Sequence, residues 1–131
     1  MAIKIVHFED DPLLGDMYKV NFVKPLFDYV QHSNPPQEGE ELIKLVVKEK
    51  PDLILMDMVM PVMDGIEATR VLKSDKRTRN FPIVGLSNLT DPKEKQRGLD
   101  LGMKDYLIAA NYMPAELVKK VCEILEVEPK K

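Results

Sequence analysis

Residues 53–65 read LILMDMVMPVMDG, and the order of residue types in that stretch decides the fold. Leu53 to Met56 is an unbroken apolar run of strand length. Such a run, with no polar alternation, belongs to a strand buried on both faces, as in a parallel sheet covered by helices. The run ends on a carboxylate, Asp57. Burying a charge is costly unless it is paired or binds a metal, so a carboxylate on such a strand end suits a metal ligand or nucleophile that needs a rigid platform. Met60-Pro61 then turns the chain, and Asp64-Gly65 restarts it as a helix.

The same alternation extends in both directions. Upstream, Ile3 to Phe8 reads as a first strand, and Asp11-Pro12 as a helix start with Asp as N-cap and Pro at the first helical position. Leu13, Leu14, Met17, Tyr18 and Val20 supply that helix with an apolar stripe. A weaker strand spans Tyr29 to His32, Pro35-Pro36 breaks the chain, and a second helix carries Leu42, Ile43, Leu45, Val46 and Val47 up to Pro51. The third strand runs from Asp52 to Met56. Downstream, Ala68, Val71 and Leu72 share a face of a third helix, and Pro82 to Leu86 form a fourth strand. Thr90-Asp91-Pro92 opens a fourth helix that Gly102 caps. Asp105 to Ala109 form a fifth strand, and a last helix from Pro114 turns Leu117, Val118, Val121, Ile124 and Leu125 inward. Strict alternation of strand and helix predicts an α/β fold, a doubly wound five-stranded parallel sheet joined by right-handed crossovers.

The bulk numbers narrow the class. At 131 residues the chain has the length of one domain with a real core. It has no apolar run long enough to cross a bilayer, and its start, MAIKIVHFEDD, turns acidic where a signal peptide would not. A single cysteine, Cys122, excludes an internal disulfide framework, which makes the cytoplasm the expected compartment. The net charge of −3, with Lys and Arg scattered, leaves no broad footprint for nucleic acid. Only the tail, Lys130-Lys131, is basic.

In open α/β sheets ligands sit beyond the carboxyl ends of the strands. There the first strand delivers Glu9, Asp10 and Asp11, the third Asp57, the fourth Ser87 and Asn88, and the fifth Ala109 and Ala110. Two carboxylates ~4 Å apart repel by about 4 kcal/mol at an effective dielectric near 20, so a cation is required. An oxygen-only donor set points to a hard ion, Mg²⁺ in the ordinary case. Asp11 reads as a helix cap rather than a ligand. His7 and Cys122 read as core, His32 as a loop residue, the methionines of MDMVMPVM as packing, and DPKEKQRGLD as a solvated helix face that buries little.

These residues together resemble the receiver domain of two-component response regulators. Glu9-Asp10 after the first strand, Asp57 followed by MVMPVMDG, PIVGLSN with its hydroxyl Ser87, and LGMKDYLI carry the resemblance over about residues 3–126. It implies the flavodoxin-like (βα)5 fold with strand order 2-1-3-4-5. The expectation is a single receiver domain over residues 1–131 with no output domain after Lys131, unless the sequence is a piece of a longer protein that carries one. It implies a protein that is not an enzyme beyond its own phosphorylation and autodephosphorylation. Asp57 would accept a phosphoryl group from a histidine kinase or phosphotransfer protein. Asp10, Asp57 and the backbone carbonyl of Val59 would hold Mg²⁺ or Mn²⁺ directly, and Glu9 through water. Ser87 would bond the phosphoryl group and Tyr106 would switch between outward and inward positions. The surface of the fourth helix, fifth strand and fifth helix would pass the state to a downstream protein. Neither nucleic acid nor membrane would be a direct partner, and the chain would be a monomer or weak homodimer.

The sequence departs from this family where a lysine normally ends the fifth strand, usually followed by proline: here stand Ala109 and Ala110. With Glu9, Asp10, a phosphoryl dianion and Mg²⁺ the site would carry about −2, against about −1 with the lysine. Ala109 marks either a receiver that signals weakly or without phosphate, or an engineered substitution that disables switching. Lys104 lies at the wrong end of the strand to replace it. Asn88 is a second departure that would narrow access to Asp57. Apolar Val59 and Leu89, two residues after Asp57 and Ser87, would slow autodephosphorylation. Two rival readings remain: a phosphate-independent pseudo-receiver that serves as an interaction module, and a Mg²⁺-dependent aspartyl-phosphate phosphatase or phosphotransferase. The phosphatase reading is weakened because its nucleophile would follow the first strand and its cap domain has no room here.

Overall fold

The structure, a computed structural model, describes residues 2–23, 26–88 and 90–126. Leu89 and the Lys130-Lys131 tail lie outside the described residues. The chain runs β1 (Ile3–Phe8), α1 (Pro12–Lys19), β2 (Phe27–His32), α2 (Gly39–Glu49), β3 (Leu53–Met56), α3 (Gly65–Ser74), β4 (Ile83–Ser87), α4 (Pro92–Asp100), β5 (Asp105–Ile108), a 3-10 turn (Ala109–Asn111) and α5 (Pro114–Leu125). The five strands are parallel, as the alternation predicts, and lie in the order β2-β1-β3-β4-β5, as the resemblance implies.

β3 occupies the centre, and all four of its residues are buried. Successive side chains of a strand point to opposite faces, so this one apolar run feeds two cores. Ile54 and Met56 join Val6, Phe8 and Ile83 beneath Leu42, Val46 and Leu72 of α2 and α3. Leu53 and Leu55 join Ile5 and Val84 beneath Tyr18 of α1 and Leu117, Val121 and Cys122 of α5. Cys122 and His7 are fully buried, and Met56, Met58, Met60 and Met63 pack into the first core.

Helix ends follow the local chemistry. Asp11, Asp64 and Asp91 are N-caps whose side chains accept from the backbone N–H groups of Leu13, Glu67 and Lys93. Gly102, at φ +111°, ends α4. Its N–H donates to the Leu99 carbonyl and that of Met103 to Gly98, a Schellman arrangement.

Four expectations need correction. The α1 stripe is mostly on the surface: Tyr18 is buried, but Leu13 is 77 % and Val20 74 % exposed, with Leu14 and Met17 between. The helix is short and packs through Gly15 and Tyr18 instead, because a Cβ at residue 15 would overlap the Gln31 side chain of β2. β2 starts two residues earlier than expected, at Phe27, which pairs with Ile3. His32 is its last strand residue, stacked on Phe8, with Nε2 2.9 Å from Glu49 Oε2. β5 stops at Ile108, and Ala109 begins the 3-10 turn.

Candidate functional site

The register of the sheet brings the strand ends together. Phe8 pairs with Met56, Met56 with Gly85 and Gly85 with Tyr106. The Asp57 N–H donates to the Phe8 carbonyl at 3.0 Å, which places Asp57 beside the start of the Glu9-Asp10 loop. One carboxylate oxygen each from Glu9, Asp10 and Asp57 lies within 4.8 Å of the others. Oxygen-only donors at one open edge fit a hard divalent ion that retains several waters.

The platform under Asp57 is tightly specified. The Val59 N–H donates to Asp57 Oδ1 at 3.2 Å. The turn that follows contains a hydrogen bond of 2.8 Å from the Met63 N–H to the Pro61 carbonyl, with Val62 between them at φ +68°. Gly65 then docks α3 against the strand end. A Cβ there would lie 2.4 Å from the Asp57 carbonyl oxygen and 2.8 Å from Met58 Cα. Backbone cannot yield as a flexible side chain can, so this glycine is a steric requirement of the site.

Burial and like charge raise the carboxyl groups. Glu9, only 6 % exposed, is pushed up to about 7. Burial is the main cause, the Asp11 N–H opposes it, and the Asp57 charge adds to it. Asp57 is also raised, mainly by burial, with the Val59 N–H pulling the other way. Gln31 braces this acidic loop: its Nε2 donates to the carbonyls of Glu9 (2.7 Å) and Asp11 (2.9 Å). Sequence reasoning passed over Gln31, because a glutamine on an edge strand carries no local sign of its partners. The pairing of β1 with β2 makes the contact.

Beside the carboxylates opens a cavity of about 450 Å³. Glu9, Asp57 and Ser87 form its polar end, and Leu14, Met17, Leu86, Ala109 and Tyr112 its walls. Among the described residues that line it, none is Lys, Arg or His. Lys104 precedes β5, its N–H bonded to Ile83 at the start of β4, far from the strand ends that carry the site. Asn88 is exposed, and its Oδ1 accepts from the Ala110 N–H at 2.9 Å, tying the loop after β4 to the turn after β5. Val59 stands at the cavity rim, 60 % exposed. Tyr106 is turned inward, 2 % exposed, and its hydroxyl hydrogen-bonds the Ser87 side chain. Two glycines make its slot: a Cβ on Gly85 would lie 2.9 Å from the ring, and one on Gly98 would lie 2.6 Å from Met103 Sδ.

The sequence matches the response regulator receiver domain over residues 5–121. It is 33 % identical over 125 residues to the alkaline phosphatase synthesis transcriptional regulatory protein PhoP of Bacillus subtilis, covering 95 % of this chain and 49 % of that protein. It is 40 % identical over 121 residues to the phosphate regulon transcriptional regulatory protein PhoB of Pseudomonas aeruginosa, covering 92 % and 51 %. The chain thus spans about half the length of these curated relatives. Among solved structures, the receiver domain of the sensor histidine kinase PA1611 from Pseudomonas aeruginosa superposes with a TM-score of 0.76 at 25 % identity, covering 96 % of this chain and 99 % of that one. That structure carries a magnesium ion coordinated in its active site cleft. Sheet order, acidic edge and sequence agree, and the chain belongs to the response regulator receiver domains of two-component signalling systems.

Proposed function

We propose that Asp57 accepts a phosphoryl group from a phosphohistidine of a histidine kinase or phosphotransfer protein. An Asp57 carboxylate oxygen forms the new bond to phosphorus. The P–N bond breaks, and the imidazole keeps the electron pair and takes up a proton. The observation that carries this reading is the carboxylate of Asp57, fixed by the Val59 N–H and facing a cavity that also holds Ser87. Glu9, Asp10, Asp57 and the Val59 carbonyl would hold Mg²⁺ or Mn²⁺. The ion would neutralise charge on the transferring phosphoryl oxygens. Ser87 donates to a phosphoryl oxygen, exchanging its bond to Tyr106 for one to the new anion. The surface of α4, β5 and α5 then reports the change to a downstream protein.

In this reading the chain acts as a single cytoplasmic receiver, monomeric or weakly dimeric, that turns over no small-molecule substrate. Val59 at the rim keeps water from the acyl phosphate and makes it long-lived. Release of phosphate within seconds would contradict that.

The test is intact mass after incubation with acetyl phosphate and Mg²⁺, beside Asp57→Ala. The expected result is a gain of one phosphoryl group, absent in the variant. No gain at saturating donor would overturn the reading. It would favour a phosphate-independent interaction module, which the inward Tyr106 and the uncharged Ala109 already suit.

A further inference from the structure

We propose that the cavity beside Asp57 is a receptor for one primary alkylammonium group supplied from outside the chain. The inference deepens the phosphoacceptor reading and rests on it for its purpose.

The charge balance comes first. Glu9, Asp10 and Asp57 crowd one edge, and a phosphoryl group on Asp57 would add about −1.5 to −2 charges. A divalent ion among the three carboxylates leaves net negative charge facing the cavity. No described residue lining the cavity is Lys, Arg or His, and three of the described lysines are placed elsewhere. Lys73 Nζ donates to the carbonyls of Arg79 and Phe81, Lys4 Nζ pairs with Glu49 at 2.6 Å, and Lys104 sits at the start of β5.

The shape of the cavity selects the kind of cation. Its polar end is Glu9, Asp57 and Ser87, but its walls are Leu14, Met17, Leu86 and Ala109. A hydrated metal ion would leave those walls without a partner. An ammonium head on an alkyl stem satisfies both ends, because such a group keeps its charge with polar partners while its methylenes lie on apolar surface. The volume of about 450 Å³ is that of a ligand pocket rather than a packing defect. The Asn88–Ala110 hydrogen bond ties the two bounding loops to each other, and Ala109 offers the cavity only a methyl group. The ammonium can come from a free amine or from a lysine side chain of a docked protein.

The test follows the backbone amides of Ser87, Asn88, Ala109 and Ala110 by NMR in the full chain. The protein is titrated with n-butylammonium chloride at constant ionic strength, with n-butanol as the neutral control. We expect a saturable shift for the ammonium and not the alcohol. The midpoint should fall at least tenfold after treatment with acetyl phosphate and Mg²⁺. The shift should vanish in Ala109→Lys, which carries its own ammonium, and in Ala109→Leu, which fills the cavity. Equal response to the alcohol, no response, or persistence in Ala109→Lys would overturn the proposal, whether or not the leucine variant folds. Ammonium binding without phosphorylation at Asp57 would sustain the site and remove the phosphoacceptor reading. Phosphorylation without ammonium binding would do the reverse. A leucine-flanked lysine tripeptide that binds tenfold tighter than n-butylammonium assigns the cation to a docked protein. Equal or weaker binding assigns it to a free amine.

Discussion

At the scale of single residues, two side chains carry costs that should be measurable. His7 is fully buried, with Nδ1 2.6 Å from the Tyr29 hydroxyl and Nε2 without a partner. Burial lowers its pKa from 6.5 to about 3. Between those values the unfolded chain holds the extra proton, so stability from this group rises with pH up to about 6.5 and is lost on acidification. His7→Gln should remove about 2 kcal/mol of the difference between pH 7 and pH 5, read by urea unfolding at both. Val62 sits at φ +68° with a branched side chain exposed to solvent, where left-handed backbone costs about 1–2 kcal/mol. Val62→Gly should recover about 1 kcal/mol in the same assay, with the Asp57 platform intact.

At the scale of elements, α4 is the weakest helix to anchor: Gly98 is its only buried residue. Its start depends on the Asp91 cap and its end on Gly102. Asp91→Ala should cost about 1 kcal/mol and speed amide exchange in residues 93–97 selectively, because a helix with so little burial opens locally. α3 is the opposite case. Gly65 brings its first turn onto the backbone of residues 57 and 58. Gly65→Ala should destabilise the fold by about 1–3 kcal/mol and slow phosphoryl uptake at Asp57 in the mass assay.

At the scale of the whole molecule, the carboxyl edge of the sheet gathers Glu9, Asp10 and Asp57, three groups that repel one another when ionised. Glu9, raised from 4.5 to about 7, stays protonated in the folded state where the unfolded chain has already ionised. Its contribution to the stability of the metal-free protein therefore falls as pH rises from about 4.5 to 7. Mg²⁺ should reverse this, raising Tm more at pH 8 than at pH 6, since binding to the folded state alone stabilises it by mass action. Asp10→Asn should abolish that gain, while raising the metal-free Tm by relief of repulsion. Differential scanning fluorimetry with Mg²⁺ and with EDTA reads both.

The sequence by itself determined the architecture, because periodicity and caps are local. Leu53 to Met56 has the length and unbroken apolar character of a doubly buried strand, and Asp11, Asp64 and Asp91 favour a helix start through their caps. It also exposed the order in which Glu9, Asp10, Asp57 and Ser87 reach the strand ends, since strand ends are read from the same runs. Only the tertiary structure decided what depends on neighbours distant in the chain. It turned Leu13 and Val20 outward, because Gly15 lets α1 approach Gln31. It tied Asn88 to Ala110 across twenty-two residues. It seated Tyr106 between two glycines and left Ala109 lining a cavity instead of filling it. Those outcomes follow from volume and hydrogen-bond satisfaction between elements, which no single stretch of sequence contains.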